Sequence, residues 1–549
     1  MCAHPSSAVF LAVCLLAACG PSGGTVPRSP VGEAAVPEGQ RPAPTGHAPA
    51  DVEAALALVR ADLLDAGALT TAFTAAGNPR PLTTTDGALS PAGVVARQRL
   101  VDAHLDGLDP KLYHTEALTD PAKTAADTAQ ELLLIDGLLR YARDMSPAPD
   151  ALDVPAMTSD LLTATASAEA LTVWLDALRP ANPQYARLMQ AAGTYRDIVA
   201  AGGWPVAMPR LPLPTPKKPF RYKANFKRYP DGVVRLIKER LAGERMYTGE
   251  VNNAWDDALT EAVVRYRRNN GMEAEAYIDY EMTRAMAVPA AFRLAQIHLN
   301  LRRLRASNFG KDPYTVYVNV PAFEGELWDG GARKLAFRTI VGNRRKARHK
   351  KTREWEARDA TPLFSHKMET VVMAPYWTVP ASIRAQLMRR AEKDPDFLKR
   401  EGYEVVGVAK GKLLRQGPGK NNALGRVKFL FPNEHDIYLH DTPDHWLFTQ
   451  PMRAYSHGCI RVEKPLDLAL YLLQRQDPSW TMRKLERRGS ASVETAVTLD
   501  DGPTVHLEYI TVTVSDDGDV RFHWDIYHHD SRSIEEEKGI VYKGDLYYP

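Results

Sequence analysis

Apolar positions along the chain fall into two regimes, with a change of period near residue 314. In 131–142, ELLLIDGLLRYA keeps apolar residues at three- and four-residue spacing, and 185–201 (YARLMQAAGTYRDIVAA) does the same. That is the period of an amphipathic helix, so 51–203 predicts an all-helical scaffold. A second helical stretch spans 223–290. Its stripes are Val233, Val234, Leu236, Ile237 and Leu241, then Leu259, Ala262, Val263 and Tyr266, then Met282, Ala285 and Met286. They predict a small three-helix module, followed by a linker helix over 291–312. Past Tyr314 the pattern shortens to near-alternation. YTVYVNV (314–320), KLAFRTIV (334–341), VKFLF (427–431) and DIYLH (436–440) are short, β-branched and aromatic, as strands are. LDLALYLL (466–473) reads as a helix with Pro465 at its favoured first position. VHLEYITVTV (505–514) and VRFHWDIY (520–527), joined through Asp516-Asp517-Gly518-Asp519, predict a strand pair. The fold class is therefore α+β multidomain, with a β-rich domain over 313–485 and a C-terminal β extension over 486–549.

Two stretches break the pattern. Residues 19–50 are rich in proline and glycine without a hydrophobic period and read as a tether. Residues 204–222 hold Pro205, Pro209, Pro212, Pro214, Pro216 and Pro219, which stop helices and stiffen a linker. Ahead of both, AVFLAVCLLAA (8–18) suits a secretory signal core and is too short to span a bilayer. It ends Leu16-Ala17-Ala18-Cys19-Gly20, which resembles a bacterial lipobox with 1–18 as lipoprotein signal and Cys19 as the lipidated residue. MCAHPSS lacks the usual positive charge, and an ordinary cleaved signal is the other reading. The lipobox resemblance implies a periplasmic protein held to a membrane, the outer one, by its N-terminal lipid.

At 549 residues, 44% apolar and 25% charged, the chain is too long for one core. Its charge, 69 − 67 = +2, leaves no footprint for a general nucleic-acid binder. The cysteines are Cys2, Cys14, Cys19 and Cys459. Export and lipidation would leave Cys459 as a single thiol, either a reactive group or a buried inert one.

Cys459 lies in Tyr455-Ser456-His457-Gly458-Cys459-Ile460-Arg461-Val462, nineteen residues after His440. A thiol is nucleophilic only as thiolate, and a nearby imidazole can take its proton and return it. Gly458 removes a side chain beside the sulfur, so the Gly458 and Cys459 amides are expected to face an oxyanion. These are the parts of acyl transfer. His435, His440, His445, His457 and Cys459 could instead gather a metal, but no HExxH or paired CxxC supports that; no metal or other cofactor is expected.

His440, fifteen intervening residues and Ser456-His457-Gly458-Cys459 match the L,D-transpeptidase (YkuD-type) signature. Tyr317-Val318-Asn319-Val320-Pro321, Thr361-Pro362-Leu363-Phe364-Ser365, Pro375-Tyr376-Trp377-Thr378-Val379-Pro380 and Asn421-Asn422-Ala423-Leu424-Gly425-Arg426 resemble its large YcbB-like periplasmic branch, and 223–290 resembles a peptidoglycan-binding domain. The resemblance implies Cys459 as nucleophile, His440 as general base and acid, and Ser456 and His457 as loop-shaping residues. Arg461 stands where many members have Asn; it either holds a substrate carboxylate or forms a structural ion pair. Trp377 and Tyr376 line the groove or serve the core. The implied reaction is acyl transfer from a peptidoglycan tetrapeptide stem, with loss of D-Ala and formation of 3–3 cross-links. Protein attachment or hydrolysis by the same thioester are the alternatives, and a non-catalytic peptidoglycan anchor is a reading of another class. Carbapenems would acylate the cysteine. Residues 383–420 lie where this branch carries a capping lid, or form an ordinary helical insertion. The insertion GNRRKARHKKTREWEARDA (342–360) puts seven basic residues into 344–353, either a solvated face or a contact for an anionic polymer.

Overall fold

The chain's architecture, from a computed structural model, is described for residues 46–59, 63–84, 86–120, 127–208, 232–344, 346–348, 355–357, 359–408 and 411–540. The expected signal, Cys19, residues 19–45 of the tether, most of the 204–222 linker and most of the basic segment 344–353 lie outside the described residues. Among the described residues no helix is long and apolar enough to cross a membrane.

The scaffold is helical, as its period predicts. Side-chain caps start several of its helices. Ser90 accepts from the Gly93 amide ahead of Pro91–Val101, and Asn182 from the Gln184 amide ahead of Pro183–Ala200. Each cap satisfies an otherwise orphaned donor. The long helix Asp127–Met145 runs through the core, with Leu132, Leu134, Leu138 and Tyr141 buried beside Phe73, Leu100 and Leu188. The stretch expected as a linker forms the helix Ala290–Ala306, and this helix belongs to the scaffold. Ile297, Leu301 and Leu304 lie in the scaffold core, and Arg305 donates to the Asp106 carbonyl at 2.5 Å.

The three-helix module consists of Val233–Gly243, Asp257–Asn269 and Tyr280–Met286. Its stripes bury Ile237, Leu241, Leu259, Val263, Tyr266 and Met282. The same cluster takes in Val320, Phe323 and Val341 from the β-rich region and Tyr509, Trp524, Ile526 and Tyr527 from further on. The module thus shares one core with the sheet that follows.

That sheet has eleven strands among the described residues. In spatial order they are Thr495–Thr498, Thr370–Met373, Val427–Leu430, Leu439–His440, Ile460–Val462, Ala332–Gly342, Glu324–Asp329, Tyr314–Asn319, Thr504–Glu508 and Ser365–Lys367, with Ala454–Ser456 added beside Ala332–Gly342. Alternation puts Val316, Val318, Leu327, Phe429, Leu439 and Ile460 on one face, packed against Leu468, Leu472 and Leu485 of the helices Pro465–Gln476 and Met482–Gly489. The other face carries Arg461 and its register partners, His440 and Ile340.

The C-terminal stretch departs from the expected appended β extension. Thr495–Thr498 and Thr504–Glu508 are members of the main sheet, and the chain later forms the helix His529–Lys538. The expected 505–514 strand is broken. Asn319 bonds Ile510 through both its amide groups, and Asn300 accepts from Thr511 N–H. These side chains replace the ladder, so Val512–Val514 starts afresh and pairs with Val520–Phe522. That second hairpin buries Val512, Val514 and Phe522 in the scaffold core.

Residues 383–420 lie in a small subunit on the sheet. The helix Ala381–Lys393, the turn Phe397–Arg400 and the hairpin Tyr403–Val408/Gly411–Gln416 enclose Val379, Leu387, Phe397 and Leu414. At its base Asn422 donates to the Pro375 and Gly417 carbonyls, and Gln416 to those of Glu401 and Asn421.

Candidate active site

The parallel pair Leu439–His440/Ile460–Val462 sets the site. Leu439 stands opposite Ile460 and His440 opposite Arg461. The Ile460 amide donates to the Tyr438 carbonyl at 3.1 Å. Because directly opposed residues share a face, Leu439 and Ile460 point into the core while His440 and Arg461 look the other way, and Tyr438 and Cys459, each just ahead of its strand, pack beside the core.

His440 is 5% exposed. Its Nδ1 lies 2.5 Å from the Asp441 carbonyl. A carbonyl only accepts, so Nδ1 carries the proton and Nε2 keeps its lone pair. Burial, reinforced by the Arg461 charge, pushes the imidazole down to about 3. Cys459 is half-buried, and its thiol donates to the Asp436 carbonyl at 3.8 Å. Burial pushes that thiol up to about 11. Both shifts disfavour the charged form, so the resting pair is neutral thiol and neutral imidazole. Among the described residues the sulfur's hydrogen-bond partners are the Asp436 carbonyl and Tyr438, not His440.

Two groups at the sulfur escaped the sequence reading. Burial, and then the Cys459 sulfur beside it, raise the Tyr438 phenol, while the Trp377 indole acts on it in the opposite sense. Tyr438 was legible by alternation with His440; Asp436 had no sequence signal. Trp377 thereby reaches the thiol through Tyr438. Tyr376 does not: the Arg415 guanidinium covers its ring at 4.0 Å, and its amide donates to Glu494.

The loop 456–459 is held from within and from outside. Ser456 Oγ donates to the Cys459 carbonyl at 2.5 Å and accepts from Gly458 N–H at 3.2 Å. The Gly458 amide is therefore committed, which corrects the expectation that it faces an oxyanion; the Cys459 amide has no such partner among the described residues. Gly458 has φ +119, and a Cβ there would come within 3.0 Å of Ile437 Cδ1. Asn343 donates twice to the Ser456 carbonyl, from its backbone and from Nδ2. Thr361 Oγ1 donates to the Gly458 carbonyl at 2.7 Å and accepts from Gly342 N–H. Tyr527 closes this ring, accepting from Thr361 N–H and donating to the Gly342 carbonyl. His457 is exposed.

Arg461 donates through one nitrogen to Thr442 Oγ1 at 3.2 Å and Asp444 at 3.3 Å, while its buried Nε has no hydrogen bond among the described residues. The ion pair is thus present without using the whole fork. The other histidines do not gather round the thiol: His435 pairs with Glu434 and His445 with Asp441.

A thiol and an imidazole borne on neighbouring strands of one sheet define a cysteine–histidine site on a curled β domain. Residues 313–488 match the family model of the L,D-transpeptidase catalytic domain, and residues 68–191 match a scaffold-domain model. A curated Haemophilus influenzae protein named "Putative L,D-transpeptidase" is 30% identical over 234 residues, covering 39% of this chain and 44% of that protein. The match therefore spans less than half of that relative's length. Two solved L,D-transpeptidase structures overlap more loosely. One, from Xylanimonas cellulosilytica, is 12% identical with a TM-score of 0.18, covering 55% of this chain and 98% of that one. The other, from Stackebrandtia nassauensis, is 14% identical with a TM-score of 0.19, covering 55% and 97%.

Proposed function

We propose that the protein is a peptidoglycan L,D-transpeptidase with Cys459 as nucleophile and His440 as general base and acid. The observation that carries this is the register. It runs Leu439–His440 parallel to Ile460–Val462, with Cys459 directly ahead of the second strand and the His440 Nε2 lone pair free. In the first half-reaction the thiol turns from the Asp436 carbonyl, passes its proton to Nε2, and the sulfur attacks the carbonyl of the third stem residue. The C–N bond to D-Ala breaks as the C–S bond forms, and the proton leaves on the D-Ala amine. In the second, the side-chain amine of another stem's diaminopimelate attacks the thioester and gives its proton to His440. A C–N bond replaces C–S, and the thiolate is reprotonated. Arg461 is suited to a substrate oxygen through its unused Nε, and the Cys459 amide to the oxyanion. Export and acylation at Cys19 would hold the enzyme in the periplasm beside this substrate.

The test is incubation of the purified protein with disaccharide-tetrapeptides, followed by mass spectrometry. Dimers lacking one D-Ala are expected, and none with Cys459→Ala. Dimer formation that survives Cys459→Ala overturns the assignment. Loss of D-Ala without dimers, still requiring Cys459, would mean that water resolves the thioester.

A further inference from the structure

A cavity of about 460 Å³ opens where the scaffold helix Pro183–Ala200, the sheet and the hairpin Val512–Val514/Val520–Phe522 meet. Its walls include Phe309, Tyr317, Trp328, Glu324, Asp517 and Arg521. The three rings are half-buried and meet edge-on, with Phe309 5.0 Å from Tyr317 and 5.6 Å from Trp328. The walls are clamped. Gln184 bonds Val514 through both its amide groups, and Arg187 reaches Asp516 at 2.9 Å. Glu326 is committed to the Trp328 indole and to Arg333. Glu324 and Arg521 have no ion pair among the described residues, and the Arg521 Nε is buried without a hydrogen bond.

We infer that this cavity binds the sugar chain of the substrate, as a subsite for N-acetylated pyranose rings. Elimination leads there. The lining holds four carboxylates and three guanidiniums, Glu324, Glu326, Asp516 and Asp517 against Arg187, Arg333 and Arg521, a net charge that repels phosphate or polyanion. The lining strands Glu324–Asp329 and Tyr314–Asn319 are paired on both sides, and Gln184 occupies the outer backbone groups of Val514, so none of these edges is offered to an added peptide strand. The carboxylates and guanidinium are wrong for a purely apolar ligand. A neutral ring with one C–H face and a rim of hydroxyl and amide groups uses every part: aromatic contact on one side, and an acceptor and a donor on the other.

Placement supports the same occupant. Arg461 opposes Ile340, and Arg338 opposes Glu324, so Glu324 shares the sheet face of Arg461. Two strand spacings and two residues along the strand separate them, roughly 12 Å. Cys459 lies two residues further along its strand, roughly 17 Å from Glu324, so a glycan seated here can present to Cys459 the stem of a neighbouring sugar, its own stem spanning at most about 14 Å.

This inference rests on the peptidoglycan reading, but its test needs no acyl transfer. Full-length protein carrying Cys459→Ala is titrated calorimetrically with tetraacetylchitotetraose and with peptide-free cell-wall glycan. Saturable binding is expected, weakened at least tenfold by Trp328→Ala and by Arg521→Gln, with Glu324→Gln as a near-isosteric third variant and thermal melts confirming folding. A diazirine-bearing chitotetraose is expected to cross-link within 309–333 and 513–521. Absent binding, binding indifferent to all three substitutions, or cross-links confined to other surfaces such as the three-helix module overturns it. A failed transpeptidase reading shows instead as D-Ala release that does not depend on Cys459, whatever the glycan does.

Discussion

Alkylation of Cys459 as a function of pH probes the resting electrostatics of the site directly. Burial pushes the thiol up to about 11, against about 8.5 for a free cysteine. Only thiolate alkylates. At pH 7.5 its fraction is then about 0.03% here and about 9% in a free thiol, a deficit of roughly 300-fold. The neighbouring imidazole gives no compensating charge, because burial and Arg461 push His440 down to about 3. Iodoacetamide incorporation, followed by mass spectrometry of the peptide containing Cys459, is expected to climb about tenfold per pH unit from 6 to 10, without a plateau. Arg461→Gln should move the rise to still higher pH, since that guanidinium lowers the thiol's value. A plateau between pH 6 and 8 would refute the reasoning, because it would mean a thiolate–imidazolium pair already formed at rest.

Three further outcomes follow from the geometry. Gly458→Ala forces a Cβ onto φ +119, 3.0 Å from Ile437 Cδ1; strain of about 1–2 kcal/mol or more is expected, read as a lower melting temperature together with lost D-Ala release. Tyr527→Phe orphans the Thr361 amide and the Gly342 carbonyl, a loss of about 1–3 kcal/mol in urea unfolding, with activity falling as the 456–459 loop loosens. Burial raises Glu508 to about 7, so folding favours its protonated form. The stability this contributes is full below about pH 4 and lost by about pH 7, at most about 3 kcal/mol; Glu508→Gln should flatten that slope between pH 4 and 8 in urea titrations.

How far the sequence reached depends on the range of the interaction. Helices and strands announced themselves because period and capping are local: Pro465 opens the predicted helix, and the three stripes of the small module are buried. The Ser456–Cys459 signature and His440 were legible as residue types at a spacing. What failed was long-range. Gly458 looks like a free oxyanion donor until Ser456 Oγ is seen to take its amide. The Arg415 guanidinium over the Tyr376 ring had no local signal either. The 505–514 run is uniformly β-forming, yet Asn319 and Asn300, about two hundred residues earlier, interrupt its ladder. No window of sequence contains that competition.

The same long-range bonds explain why the last part of the chain bears on chemistry it does not touch. The stretch after residue 486 first supplies two strands to the sheet, then crosses to bury Val512, Val514 and Phe522 in the scaffold. It returns to place Trp524, Ile526 and Tyr527 in the core shared by the three-helix module and the sheet. From there the Tyr527 hydroxyl bridges Thr361 and Gly342, and Thr361 holds the carbonyl of the residue before Cys459. The loop that presents the sulfur is therefore braced by a residue sixty-eight positions later, whose own position depends on both helical units being packed. Buried hydrogen bonds of this kind are costly to break singly, so loosening the scaffold end of the hairpin should reach the thiol through Tyr527 before it reaches the sheet.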